Sequence, residues 1–310
     1  MKSNSHLKGL GTALITPFKA DGSVDYDALA RLLDTQIRGF VDYIVVLGTT
    51  GEAATLTPEE KKEVRQFIVN YVKKPSVISP QHSAIPLILG LGGNNTAAVC
   101  TELASLKEEL EQNFTAILSV CPYYNKPNQE GLFQHFCKVA EASPIPVILY
   151  NVPGRTGVNL LPETVMRIYE AHPDKIIGIK EASGNVEQIK SLIGLSGEII
   201  VPPAGKEAGL LVISGDDGIA CEVMQAGGAG LISVASNAFP EDFWHIVHAQ
   251  DATLQARYAE MIRLLFAEGN PVGIKAVLAQ KGIIQNYLRL PLVPASEELK
   301  ERIKGLEVKS

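Results

Sequence analysis

Eight short apolar runs, each followed by a polar or glycine-rich turn and mostly by a helix-like stretch, constrain this chain more than any other feature. In order they read "GLGTALIT", "VDYIVVLG", "IPLILGLG", "FTAILSV", "IPVILYN", "KIIGIK", "GLLVISG" and "AGLISVAS". Between them, stretches such as "DYDALARLLDTQIRGF", "TPEEKKEVRQFIVNYV" and "TAAVCTELASLKEEL" carry apolar residues at spacings of three and four, and Pro58 with its two glutamates marks one helix start. Strands that are apolar at nearly every position are buried on both faces, so their alternation with helices predicts a parallel sheet covered by helices. Eight such units fit a closed (β/α)8 TIM barrel better than an open doubly wound sheet. A Rossmann-like sheet is the competing architecture, because "GLGTAL" and "GLGGNN" look like nucleotide loops. Neither gives GxGxxG in the first strand-to-helix turn with an acidic residue at the required distance.

After about Ser236 the pattern becomes helical, through "FPEDFWHIVHAQ", "ATLQARYAEMIRLLFAEG", "PVGIKAVLAQKG" and "SEELKERIKGLEV". The first of these is expected to close the barrel. The reading is therefore a catalytic barrel over residues 1–250 and a C-terminal helical appendage over 251–310. "KKPSVISPQHSA" and "GEIIVPPAGKEA", near 73–84 and 197–208, read as insertions to which the sequence assigns no role.

A length of 310 residues with 46% hydrophobic and 20% charged residues provides for a substantial core. The net charge of −6 argues against nucleic-acid or anionic-membrane partners, while a small anionic substrate needs only one or two local cations. No run of eighteen apolar residues predicts a membrane span, and the N-terminal apolar stretch is too short and broken for a signal peptide. The four cysteines, Cys100, Cys121, Cys137 and Cys221, lack CxxC spacing and read as free thiols of a reducing cytoplasm. Of the six histidines only His245 and His248 share helical spacing, as ordinary face residues, and no metal site is expected.

In a barrel of this kind catalytic groups project from the C-terminal ends of the strands. Those ends carry Thr16, "GTTGE", "GLGGNN", "CPYYNKP", "YNVPGRTG", "KEASGN", "SGDD" and "SVASN". In "KIIGIKEASGN" the apolar run stops on Lys180, with Gly178 letting something pack close. An amine low in an apolar mouth is disfavoured as ammonium, and a neutral amine suits Schiff-base formation with a carbonyl. In water at pH 7 about one lysine in 10³–10⁴ is neutral, so a pKa lowered to about 7 raises the nucleophilic fraction roughly 10³-fold. The other reading of Lys180 is a snorkelling side chain paired with Glu181. Thr49 and Thr50, in the glycine–threonine turn, offer N–H groups and hydroxyls to a carboxylate, or else simply cap a strand-to-helix turn. Glu52 is expected to order that loop. Tyr150, at a strand end, is placed to reach a lysine on the neighbouring strand and carry a proton. Arg155, on a Pro-Gly turn, either clamps a carboxylate or is merely solvated. The two tyrosines of "CPYYNKP" suit aromatic packing at an interface.

Together these stretches, with "GTALITPF" and "GGAGLISVASN", closely resemble the dihydrodipicolinate synthase family, within the pyruvate-dependent class I aldolase superfamily that includes N-acetylneuraminate lyase. The resemblance covers essentially the whole chain in the family's order. It implies a cofactor-free lyase that condenses pyruvate with aspartate 4-semialdehyde toward lysine and diaminopimelate, as a homotetramer, a dimer of dimers. It further implies that Lys180 forms the imine, Tyr150 moves protons, Thr49 relays them, and Tyr124 reaches into the neighbouring subunit's site. Thr50 would hold the pyruvate carboxylate, Arg155 the carboxylate of the semialdehyde, and Ile232 a backbone contact near pyruvate.

The alternative within the superfamily is a Schiff-base lyase acting on a sialic acid or 2-keto-3-deoxy sugar acid. Such lyases generally lack the arginine of "GRTG", so Arg155 favours the small charged aldehyde. One departure concerns regulation. Lysine-inhibited members usually carry a histidine in the helix after "GTTGE" and a glutamate four residues after an asparagine; here Pro58 and Lys61 stand near the first place and Ala98 follows Asn94 at the second. Weak or absent inhibition by lysine is the expectation.

Overall fold

The computed structural model describes residues 7–74, 85–197 and 209–306. The two stretches read as insertions lie outside the described residues, apart from Lys73, Lys74 and Gly197. All eight expected strands form: β1 (Gly9–Ala13), β2 (Tyr43–Val46), β3 (Leu87–Gly90), β4 (Ala116–Val120), β5 (Val147–Asn151), β6 (Ile176–Glu181), β7 (Leu211–Ser214) and β8 (Gly230–Ser233). They follow one another in sequence order around a closed sheet, the (β/α)8 barrel, which overturns the Rossmann-like alternative. Every residue of β1, β2, β5, β6, β7 and β8 is buried, as strands with core on both faces require.

The chain divides into two compact units. One comprises Leu10–Ile85 and Ser233–Ser310. Here β1 and β2 run parallel with Gly11 opposite Tyr43. Asp25 caps the helix Tyr26–Arg38 by accepting from the Ala28 N–H at 3.0 Å. The start read from "TPEE" is a capping box: Thr57 accepts from the Glu60 N–H and Glu60 accepts from the Thr57 N–H, with Pro58 in the first turn of the helix Pro58–Val72. After β8 come the helices Pro240–His248, Ala252–Arg257, Ala259–Phe266, Val272–Gln280 and Glu297–Lys304. His248 is more than a face residue. Its Nε2 lies 2.7 Å from Asp42 Oδ2, which also accepts from the Leu10 N–H at 2.7 Å and so ties this helix to the sheet.

The other unit comprises Met1–Gly9 and Pro86–Ile232. Its strands β3 to β7 pair in parallel, covered by helices that include Gln129–Ala142, Pro162–Ala171 and Val186–Gly197. The stretch "TAAVCTELASLKEEL" forms two helices, Thr96–Ser105 and Lys107–Asn113, broken at Leu106 where the Ser105 hydroxyl donates back to the Glu102 carbonyl. The role foreseen for Gly178 is explicit. A Cβ there would stand 2.8 Å from the Leu211 carbonyl oxygen, so only glycine lets β6 approach β7 this closely.

Candidate active site

Lys180 and Tyr150 end adjacent strands and pair directly in the β5–β6 register. Both are buried, and the Lys180 Nζ lies 4.4 Å from the centre of the Tyr150 ring. The amine therefore sits over the ring face. Space for the lysine stem comes from Gly215, just beyond β7, where a Cβ would fall 2.9 Å from Lys180 Cε.

Glu181 does not pair with Lys180. Successive residues of a strand face opposite ways, which sends its carboxylate to the other side of the sheet. There it accepts from Asn151 Nδ2 at 2.9 Å, Gln188 Nε2 at 3.0 Å and the Ser183 N–H at 2.8 Å, with no solvent exposure. Asn151 also donates to Asn159 Oδ1 at 2.7 Å and accepts from the Leu160 N–H at 2.9 Å, while Asn159 donates to Gln188 at 2.8 Å. A buried polar network thus holds the strand ends behind Tyr150 and Lys180, and the snorkelling reading of the lysine falls away. Sequence reasoning missed Asn151 and Gln188. The available signal was an acidic residue inside a strand whose every neighbour is buried, since such a group must find donors.

Arg155 lies exposed on a helical turn, Pro153–Thr156, in place of the expected Pro-Gly turn. Pro153 starts that turn, and the Thr156 hydroxyl donates to the Val158 carbonyl at 3.0 Å on its far side. Tyr124 is 90% exposed with a left-handed backbone (φ 74°), on a loop braced by hydrogen bonds from Asn94 to the Tyr123 carbonyl and from Asn125 to the Asn94 carbonyl. The Ile232 side chain is buried in β8, leaving its backbone as what it can offer a ligand.

In the other unit, Thr49–Gly51 form a tight turn after β2, closed by the Gly51 N–H donating to the Gly48 carbonyl. Thr49 is exposed and Thr50 is 2% exposed. Asn270 Nδ2 donates to Thr50 Oγ1 at 2.9 Å, and the Thr16 hydroxyl donates to the Gly51 carbonyl at 2.7 Å. Glu52 orders the loop as expected, by a route the sequence did not suggest: it adopts a left-handed conformation (φ 51°) and its carboxylate pairs with the fully buried Lys275. Burial pushes the Lys275 ammonium down to about 8, against the pull of Glu52 in the opposite direction.

The sequence pattern of the dihydrodipicolinate synthetase family matches residues 6–307. The chain belongs to that family. A 4-hydroxy-tetrahydrodipicolinate synthase of Parabacteroides distasonis is 45% identical, with 98% of each chain covered, and one of Flavobacterium psychrophilum is 45% identical with 95% of each covered. Among solved structures, the chloride-inhibited dihydrodipicolinate synthase of Acinetobacter baumannii complexed with pyruvate is 39% identical, covers 96% of each chain and superposes with a TM-score of 0.84.

In this member of the dihydrodipicolinate synthetase family, the residues that sequence reasoning overlooked are those that hold the β5 and β6 ends and, separately, the threonine turn. Asn270 and Lys275 both lie in "NPVGIKAVLAQ". There the one legible sign was a lysine among apolar residues on a helix whose first seven positions are all buried.

Proposed function

We propose that this member of the dihydrodipicolinate synthetase family is a 4-hydroxy-tetrahydrodipicolinate synthase, joining pyruvate to aspartate 4-semialdehyde on Lys180. The observation that carries the reading is the in-register Lys180–Tyr150 pair at the ends of β5 and β6, an amine directly over a phenol ring in a buried setting. The synthase names of relatives at 40–45% identity and the pyruvate complex of the Acinetobacter baumannii relative support it.

In this reading the Lys180 amine adds to C2 of pyruvate and water leaves, forming an imine. Loss of a C3 proton gives an enamine. Its carbon attacks the aldehyde carbon, whose oxygen takes up a proton and becomes the hydroxyl. The amino group of the former semialdehyde then attacks the imine carbon, closing the ring and releasing Lys180. Tyr150 carries protons to and from these centres, with Thr49 as relay and Tyr124 contributed across a subunit boundary. Thr50 holds the pyruvate carboxylate, the Ile232 backbone contacts pyruvate, and Arg155 clamps the carboxylate of the semialdehyde. The exposed, braced position of Tyr124 supports the homotetrameric assembly, and the four free thiols support a cytoplasmic setting.

Pyruvate consumption by the purified protein with aspartate 4-semialdehyde tests this. Turnover is expected, and Arg155→Ala should lower kcat/KM for the semialdehyde about 100-fold, as loss of a bidentate carboxylate contact does. A folded protein that consumes no pyruvate, and instead cleaves a 2-keto-3-deoxy sugar acid or sialic acid, overturns the reading.

A further inference from the structure

A lysine is among the largest fully buried side chains of the molecule. Lys275 is 0% exposed, on the helix Val272–Gln280, and nothing in the reaction outlined above uses it. An ammonium in such a place costs several kcal/mol of desolvation unless it is paired and hydrogen-bonded. Lys275 has both kinds of partner. Its Nζ pairs with the Glu52 carboxylate, donates to the Tyr287 carbonyl at 3.1 Å and lies 4.2 Å from the centre of the Phe18 ring. The second Glu52 oxygen accepts from the Arg289 N–H at 3.3 Å.

The pair has a geometric consequence for the turn before it. Glu52 is a non-glycine residue in the left-handed region, a conformation that persists where surrounding contacts over-determine it. Its N–H closes the turn by donating to the Thr49 carbonyl at 3.1 Å, so fixing Glu52 fixes the direction in which Thr49 and Thr50 leave β2. Five residues before Lys275, Asn270 acts on the same turn. Because its amide donates to Thr50 Oγ1, that oxygen is used as an acceptor and the hydroxyl hydrogen is free to point elsewhere as a donor. A carboxylate accepts hydrogen bonds only, so a hydroxyl held as a donor is the form that recognises it.

We propose that Asn270 and Lys275 are positioning residues for pyruvate. Lys275 clamps Glu52 and with it the Thr49–Thr50 turn, and Asn270 sets the Thr50 hydroxyl as a donor to the substrate carboxylate. The inference rests on the reading that Thr50 holds that carboxylate. It assigns to the segment after β8 a part in substrate recognition through side chains that never touch substrate.

The test uses the full-length protein and its N270D, N270A and K275M variants. Asn270→Asp is nearly isosteric but only accepts, so Thr50 must turn its hydrogen inward and present a lone pair to the substrate. KM for pyruvate is expected to rise about tenfold or more in N270D and less in N270A, with KM for the semialdehyde within about twofold of the parent. Borohydride should still trap a pyruvate adduct on Lys180 in both variants at saturating pyruvate. K275M should show the same selective rise if it folds, as judged by circular dichroism and thermal unfolding; if it does not fold, the two Asn270 variants decide the matter. A role in stability alone would lower the melting temperature without separating the two KM values. Folded Asn270 variants with parental KM for pyruvate overturn the proposal while leaving the synthase reading intact. A parent protein that gives no borohydride adduct with pyruvate overturns the synthase reading and the inference together.

Discussion

Lys180 is fixed by its neighbours in strand register as much as by its own chemistry. An arginine at this position has a comparable reach but forms no imine, so Lys180→Arg should lower turnover by about 10³-fold or more and abolish the borohydride adduct. Circular dichroism should show the fold retained. A buried histidine contributes to the response to acid. His135 is 4% exposed, with Nδ1 at 2.9 Å from the Thr96 hydroxyl, and burial pushes its pKa down to about 4. In the unfolded chain a histidine takes its proton near 6.5. Between about pH 6.5 and 4 the unfolded state therefore holds the extra proton, and folding stability falls as the pH falls through that window. The loss should reach about 2–3 kcal/mol, and His135→Gln should flatten it. Urea unfolding at pH 7 and pH 4.5 on both proteins checks this.

At the scale of elements, the ends of β5 and β6 are joined twice, by backbone pairing and by the Asn151–Glu181–Gln188 network behind them. Removing the Glu181 carboxylate would leave the Asn151 and Gln188 amides and the Ser183 N–H short of a buried acceptor. Glu181→Ala is expected to cost about 1–3 kcal/mol for each buried donor left without an acceptor. It should also slow imine formation, because the strand that presents Lys180 loses its anchor. Thermal unfolding and the rate of adduct trapping measure the two effects separately. Two residues before Lys180 in β6, Gly178→Ala would press a methyl group against the β7 backbone, costing about 1–3 kcal/mol by overpacking. The register of the lysine and the clearance for its stem are thus set by the strands on either side.

For the whole molecule, regulation and assembly are where family membership leaves most to decide. Asn94 here donates to the Tyr123 carbonyl, Asn95 caps the helix Thr96–Ser105, and Ala98 stands where the family resemblance leads one to expect an acid in a lysine-inhibited member. Lacking that carboxylate, a bound lysine loses an ion-pair partner. Titration with up to millimolar lysine should leave most of the activity, and strong inhibition would refute the expectation. Both the proposed shared use of Tyr124 and the tetramer can be checked by sedimentation on the parent and Tyr124→Phe proteins. The variant should keep the parent's assembly and lose activity, since it removes only a hydroxyl.

Local physics made much of this protein legible in its sequence. Eight buried strands show as runs of apolar residues, the Thr57–Glu60 capping box as "TPEE", and the close approach of β6 to β7 as Gly178, because each depends on neighbours a few residues away. Lys180, Tyr150 and the threonine turn could be picked out for the same reason: polar groups at the ends of apolar strands stand out within a short window. Only the tertiary structure decided which charges are buried and with whom. Asn270 meets Thr50 across 220 positions of chain, Lys275 finds Glu52 at a comparable separation, and Arg289 closes the same cluster against Glu60. A buried charge survives through partners that converge in space, and neither residue of such a pair carries a local mark of the other. The candidate groups were therefore readable at the strand ends, whereas the contacts that hold them became visible only once the chain was folded.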